Sequence, residues 1–141
     1  MAYLPDTDIQ SAAISSDELF FYFTIELAGL STATNQLGAL YGIEIDVDKD
    51  GRGDFLFTAS NPAKDWSASE TKSFADANKD MGGKTSLRAD SSTNSKSDGY
   101  ERVLASSSSV FSRMDPSSEV TVQITVSKEM LGDATQFLWG A

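Results

Sequence analysis

The feature that most constrains this chain is a repeated alternation of apolar and other residues. Leu19, Phe21, Phe23, Ile25 and Leu27 recur at every second position. Tyr41, Ile43, Ile45 and Val47 do the same, with Glu44 and Asp46 between them. Val120, Val122, Ile124 and Val126 alternate with Thr121, Gln123, Thr125 and Ser127. Successive side chains of a strand point to opposite faces, so a period of two predicts strands with one buried face. Weaker strand patterns cover residues 9–15, 55–59, 71–76, 100–105, 109–114 and 136–139. Clusters of Gly, Asp, Asn and Ser separate them. About eight or nine short strands in one chain of 141 residues predict an all-β fold, a jelly-roll-like antiparallel β-sandwich. Residues 1–141 read as one domain, a unit of a larger secreted protein. Helix signals are few. Ser127 as N-cap and Gly132 as stop predict one short turn. Residues 31–40 read as loop, and the polar stretch 91–97 as a mobile loop.

Composition narrows the chemistry. The chain has no histidine and no cysteine, and 21 Asp and Glu against 11 Lys and Arg give a net charge of −10. Without Cys there is no disulfide, thiol nucleophile or thiolate metal site. Without His there is no imidazole base or ligand. The negative field argues against nucleic acid, which requires a basic footprint. No apolar run approaches the ~20 residues of a membrane-spanning helix, so no membrane insertion is expected. An acidic, Cys-free surface rich in Ser, Thr and Asp suits a secreted or cell-surface bacterial module.

What remains for metal chemistry is carboxylate, and its distribution is uneven. Asp46-Val47-Asp48-Lys49-Asp50-Gly51-Arg52-Gly53-Asp54 places acids at alternate positions, then glycine, then an acid three residues on. This matches the first nine positions of an EF-hand-style loop. Calcium takes 6–8 oxygen ligands at about 2.3–2.6 Å, so the chain has to curl around the ion. Alternate side chains in such a curl converge, and Gly51 permits the turn. Arg52 would offer its backbone carbonyl and Asp54 a direct or water-mediated contact. Two departures argue against a true EF-hand: Phe57 stands at the twelfth position in place of a bidentate Glu, and the flanks read as strands. A calcium loop between two strands is expected, against the plainer reading of an acidic Asp-Gly turn. Asp76, Asn78 and Asp80 repeat the spacing, with Met81 where glycine is expected and Gly82-Gly83 following. They read as a second ion site or a cluster shared with the first. Asp98 and Glu101 form a third acidic turn that reads as solvated surface. One or two Ca2+ ions are the expected cofactors.

Other signals carry less. Gly83-Lys84-Thr85 resembles the end of a phosphate-binding loop, but Asn78 stands where that motif needs glycine. A carboxylate pair for glycoside hydrolysis arises by chance among so many acids, and no enzyme activity is expected. Trp139 alternates with Phe137 and reads as core. Trp66 lies in a polar stretch and reads as either an exposed ligand platform or a cover over one end of the sandwich.

The segments Leu4 to Ala12 and Ser16 to Ile25, then Tyr41 to Asp48 and Val120 to Gly132, together resemble DOMON-like and family 9 carbohydrate-binding modules. The resemblance implies a jelly-roll-like sandwich, often secreted, often one unit of a larger extracellular protein. Some relatives bind sugars and others haem, and the absence of histidine removes the imidazole a haem would use. The expected function is a non-catalytic extracellular calcium-binding module with a structural, adhesion or surface-assembly role. Its partners would be other domains or subunits of a secreted or cell-surface protein. The alternative is a calcium-dependent carbohydrate-binding module whose partner is polysaccharide.

Overall fold

A computed structural model describes residues 2–77, 79, 99–100 and 102–141. Two antiparallel sheets form a β-sandwich. The strands are β1 (Ile9–Ser16), β2 (Phe20–Leu27), β3 (Leu40–Asp46), β4 (Phe55–Ser60), β5 (Thr71–Ala75), β6 (Arg102–Val103), β7 (Val110–Asp115), β8 (Ser118–Ser127) and β9 (Leu138–Gly140). One sheet runs β1-β2-β8-β7 and the other β6-β5-β4-β3-β9.

The alternating residues place the core. Phe23, Ile25 and Leu27 of β2, Tyr41, Ile43 and Ile45 of β3, and Val122, Ile124 and Val126 of β8 are all buried in one cluster. Phe57 and Ala59 of β4 and Val110 of β7 complete it. Register follows from this burial, since a slip by one residue would turn each apolar row to solvent. Phe23 stands opposite Ile124, and Ile43 opposite Phe57. Strand β4 is buried on both faces, which is why its sequence shows an apolar run and little alternation. On its outer face Leu56 joins Phe74 and Tyr100 in a second small cluster. The short strand β9 is anchored by rings: Phe137 packs edge-on to Phe21 at 4.9 Å, and Trp139 to Phe23 at 5.3 Å.

Several expectations need correction. Leu19 was expected on the buried face of β2, but it precedes the strand and is exposed. Within the segment expected as a strand over 100–105, the described residues give the two-residue β6 and a bridge at Tyr100. The turn after β8 is a 3-10 helix, Lys128–Leu131, and Ser127 makes no side-chain cap there. Gly132 ends it in the left-handed conformation at φ 64°. A further 3-10 turn, Pro5–Thr7, was not anticipated. The loop expected at 91–97 lies outside the described residues. Among the described residues no helix is long and apolar enough to cross a membrane.

The β1–β2 connection depends on one aspartate. Asp17 accepts hydrogen bonds from the Leu19 and Phe20 amides, both at 2.8 Å, and from the Tyr22 hydroxyl at 2.6 Å. The Tyr22 bond first, then the two amides, hold its carboxyl below the usual carboxylate value. A depressed folded pKa gives stability that is present above the unfolded value, about 3.9, and is lost as pH falls through the folded one. Asp17→Ala is therefore expected to melt below wild type at pH 7. In melts run from pH 7 down to pH 2, that gap should close below the ordinary carboxylate pKa.

Candidate metal centre

The acidic loop joins β3 to β4, and the core holds both of its ends. Ile45 stands opposite Phe55 across the hairpin, and Asp46 opposite Leu138 of β9. The Asp54 amide donates to the Ile45 carbonyl at 2.8 Å and closes the base of the loop. Lys49 reaches across to Gln136, Nζ to Oε1 at 3.0 Å, and ties the loop to the segment before β9.

Inside that frame the aspartates order the backbone. Buried Asp46 accepts from the Lys49 amide at 2.7 Å and from the Gly51 amide at 2.8 Å, one with each oxygen. The Asp50 amide donates to Asp48 at 3.2 Å, and the Arg52 amide to Asp50 at 2.8 Å. Lys49 and Gly51 both adopt positive φ, 61° and 86°. The curl expected from spacing therefore forms, and its left-handed turns fall at Lys49 as well as at Gly51.

The result is a tight group of three acids. Asp46, Asp48 and Asp50 each offer a carboxylate oxygen, and these oxygens lie within 4.8 Å of one another. That spacing fits hard-cation chemistry, in which two oxygens at opposite sides of a calcium ion stand about 4.6–5.2 Å apart. Such proximity of like charges costs stability. Loss of hydration within the loop raises the Asp48 pKa above the carboxylate norm, and Asp46, Asp54 and Asp50 push it further up.

The other expected ligands are placed differently. Asp54 lies outside the tight group: its Oδ2 accepts from the Val47 amide at 2.8 Å and the Asp48 amide at 3.4 Å. Arg52 is exposed, with its amide committed to Asp50. Asp76 lies just beyond β5, where its amide donates to the Asp54 carbonyl at 3.0 Å, so the end of β5 and the first loop do adjoin. Asn78, Asp80, Met81, Gly82 and Gly83 of the second acidic stretch lie outside the described residues, as do Asp98 and Glu101. Trp66 is half-buried, with the Arg113 guanidinium 4.3 Å from its ring centroid and Tyr22 at 6.0 Å.

Three neighbours of the loop were not anticipated. Glu44 registers with Leu56 and so faces outward from the five-stranded sheet, toward the Tyr100 cluster. The Tyr100 ring is fully buried, and among the described residues no group meets the geometry of a hydrogen bond to its hydroxyl. The Glu44 carboxylate lies close enough to act on the phenol. Burial first, then Glu44, Asp76 and Asp54, push the phenol far above its usual value. Gly53 makes this approach possible. A Cβ there would coincide with the Tyr100 hydroxyl and Glu44 Oε1, and would stand 2.7 Å from Glu44 Cδ. The only sequence signal was a second glycine two residues after the first.

No family model, curated protein or solved structure matches the chain.

The two loop glycines predict different costs. Gly53→Ala forces Glu44 and buried Tyr100 apart, at about 1–3 kcal/mol or more. Gly51→Ala meets open space and carries only the left-handed backbone penalty, about 1–2 kcal/mol. Urea unfolding should rank Gly53→Ala as the less stable variant. It should also lose tyrosine burial in near-ultraviolet absorbance, which Gly51→Ala keeps.

Proposed function

We propose that this protein is a non-catalytic calcium-binding β-sandwich module, with the ion held by Asp46, Asp48 and Asp50 and the loop backbone. The observation that carries the reading is the convergence of three carboxylate oxygens within 4.8 Å on a hairpin anchored at both ends. A hard divalent cation offsets their repulsion, and an all-oxygen donor set selects calcium or magnesium over softer metals. Calcium accepts irregular geometry from a protein loop, whereas magnesium demands near-octahedral ligands and keeps more water. The loop supplies carboxylates on a curved, irregular backbone, which favours calcium. Asp54, and Asp76 whose amide donates to the Asp54 carbonyl, would serve a second ion or a water-bridged contact.

The role we assign is structural, in a secreted or cell-surface protein, with other domains or subunits as partners. A module of this kind, similar in style to DOMON-like and family 9 carbohydrate-binding modules, would use the ion to hold its loop end rigid. For the carbohydrate alternative, Trp66 is the residue in question. Arg113 already occupies space over its ring, which favours a packing role over a sugar platform.

Thermal melting tests the metal. An ion that binds only the folded chain stabilises by about 4 kcal/mol when present at a thousand times its Kd. Calcium should therefore raise Tm by several degrees over EDTA, and magnesium by less. Asp48→Asn keeps the size of the side chain and removes one charge, so its melting point should cross that of wild type. It should melt at or above wild type in EDTA, where repulsion is relieved, and below it in calcium, where a ligand is lost. Equal wild-type melting points in calcium and EDTA would sink the reading.

A further inference from the structure

The two sheets have four outer edges, and three are short or covered. Along β7, the Ser67 amide donates to the Ser112 carbonyl at 3.0 Å, the Ser112 amide to Ser67 at 2.9 Å, and the Met114 amide to the Ala63 carbonyl at 2.7 Å. Strands β6 and β9 are two and three residues long. Strand β1 is different. It has eight residues, every one exposed, and among the described residues it pairs with β2 on one side only. Its sequence, Ile9-Gln10-Ser11-Ala12-Ala13-Ile14-Ser15-Ser16, has no charge and no proline. Natural sheets guard long edges with lysine, proline, brevity or a covering segment. Among the described residues none of these protects β1; its one irregularity is a register shift between Ile9 and Ser11.

We propose that β1 is a strand-addition site for an extended, uncharged segment of a partner protein that carries basic residues at the end that meets Asp8 and Glu26. The open edge supplies backbone donors and acceptors, which give affinity in this mode of recognition. Side-chain register supplies selectivity. Ala12 and Ile14 stand opposite Ile25 and Phe23, so they lie on the inward face of their sheet. Ile14 nonetheless remains 39% exposed, because the opposite sheet ends in the three-residue β9. A cavity of about 470 Å3 opens there, lined by Ile14, Phe21, Phe137 and Trp139 among others. An added strand would place alternate apolar side chains along that uncovered face.

Charge selects the partner. Asp8 and Glu26 stand at one end of β1, where Ile9 pairs with Leu27 and Ser11 with Glu26. Asp17 and Glu18 follow its other end, with Lys128 acting on Asp17 and Lys49 lining the cavity beside Ile14. The acidic excess therefore lies at the Asp8 end, and a basic flank belongs there. A second copy would bring its own net charge of −10 and its own flanking acids. Of the aspartate loop only Lys49 borders this site, and none of Asp46, Asp48 and Asp50 does, so exchange followed in calcium and in EDTA separates this proposal from the metal reading.

The test uses a synthetic peptide of alternating valine and threonine with lysines at both ends, and the same core ended by glutamates. Amide hydrogen exchange is followed with and without each peptide, in calcium and in EDTA. The lysine-ended peptide should slow exchange in residues 9–16 by about tenfold, which is about 1.4 kcal/mol. Added salt should weaken that protection, and the glutamate-ended peptide should give none. Ile14→Lys, an inward charge of the kind that guards natural edges, should abolish the protection with little change in Tm. Val103→Lys on β6 should leave it intact. The proposal is overturned if residues 9–16 gain no protection, if both peptides protect equally, or if protection rises with protein concentration alone. The last result would make a second copy the occupant.

Discussion

The structure depends on the face-to-face burial of its alternating apolar rows. Phe23, Ile25, Ile43, Ile45, Phe57 and Ile124 are essentially inaccessible to solvent, and together they fix how the two sheets lie. Truncating a buried phenylalanine such as Phe57 in a packing of this kind costs about 3–5 kcal/mol. The burial also determines what the connections can do. Because Ile45 and Phe55 are held opposite each other, the chain between them cannot open out when its acids repel. A hairpin held this way keeps carboxylates close in a manner that a free acidic loop would not.

That restraint gives the aspartate loop its chemistry. Asp46 uses both oxygens to organise the backbone, and Asp54 closes the start of the loop from the far side. Asp48 and Asp50 are the exposed members of the group, and among the described residues each receives one amide hydrogen bond, from the residue two positions on. The acids thus divide into those that shape the loop and those whose charge is left more exposed, where a cation could offset it. This division is why Asp48 reports on the ion more cleanly than Asp46, whose loss would also unmake the turn. The same end of the sheet brings Glu44, Gly53 and Tyr100 together, so the loop rests on a buried phenol as well as on the core.

The legible and illegible parts of the sequence separate along physical lines. The rows in β2, β3 and β8 were readable because one face is buried and the other solvated. Strand β4 was weaker because Tyr100 covers its outer face, and strand β1 because all of its residues are exposed. Leu19 matched the period but not the strand, since Asp17 begins the turn that places it outside. The Asp46, Asp48 and Asp50 spacing was local, and so it was readable. The roles of Glu44 and Tyr100 were not, because their meeting depends on register and on a return of the chain over the sheet. Gly53 was visible as a glycine, but its purpose is a close approach that only the fold reveals. The exposure of β1 likewise follows from strand order, which alternation alone does not specify.

The central claim is that the hairpin between β3 and β4 is a pre-shaped seat for a hard divalent cation. It is tested most directly by following the backbone amides in NMR while calcium is added to metal-free protein. The account predicts saturable shifts that begin in residues 46–54, with the Lys49, Gly51 and Arg52 amides among the most affected, while the amides of β2 and β8 stay in place. Saturation with no change in residues 46–54, or no saturable change up to millimolar calcium, would contradict it.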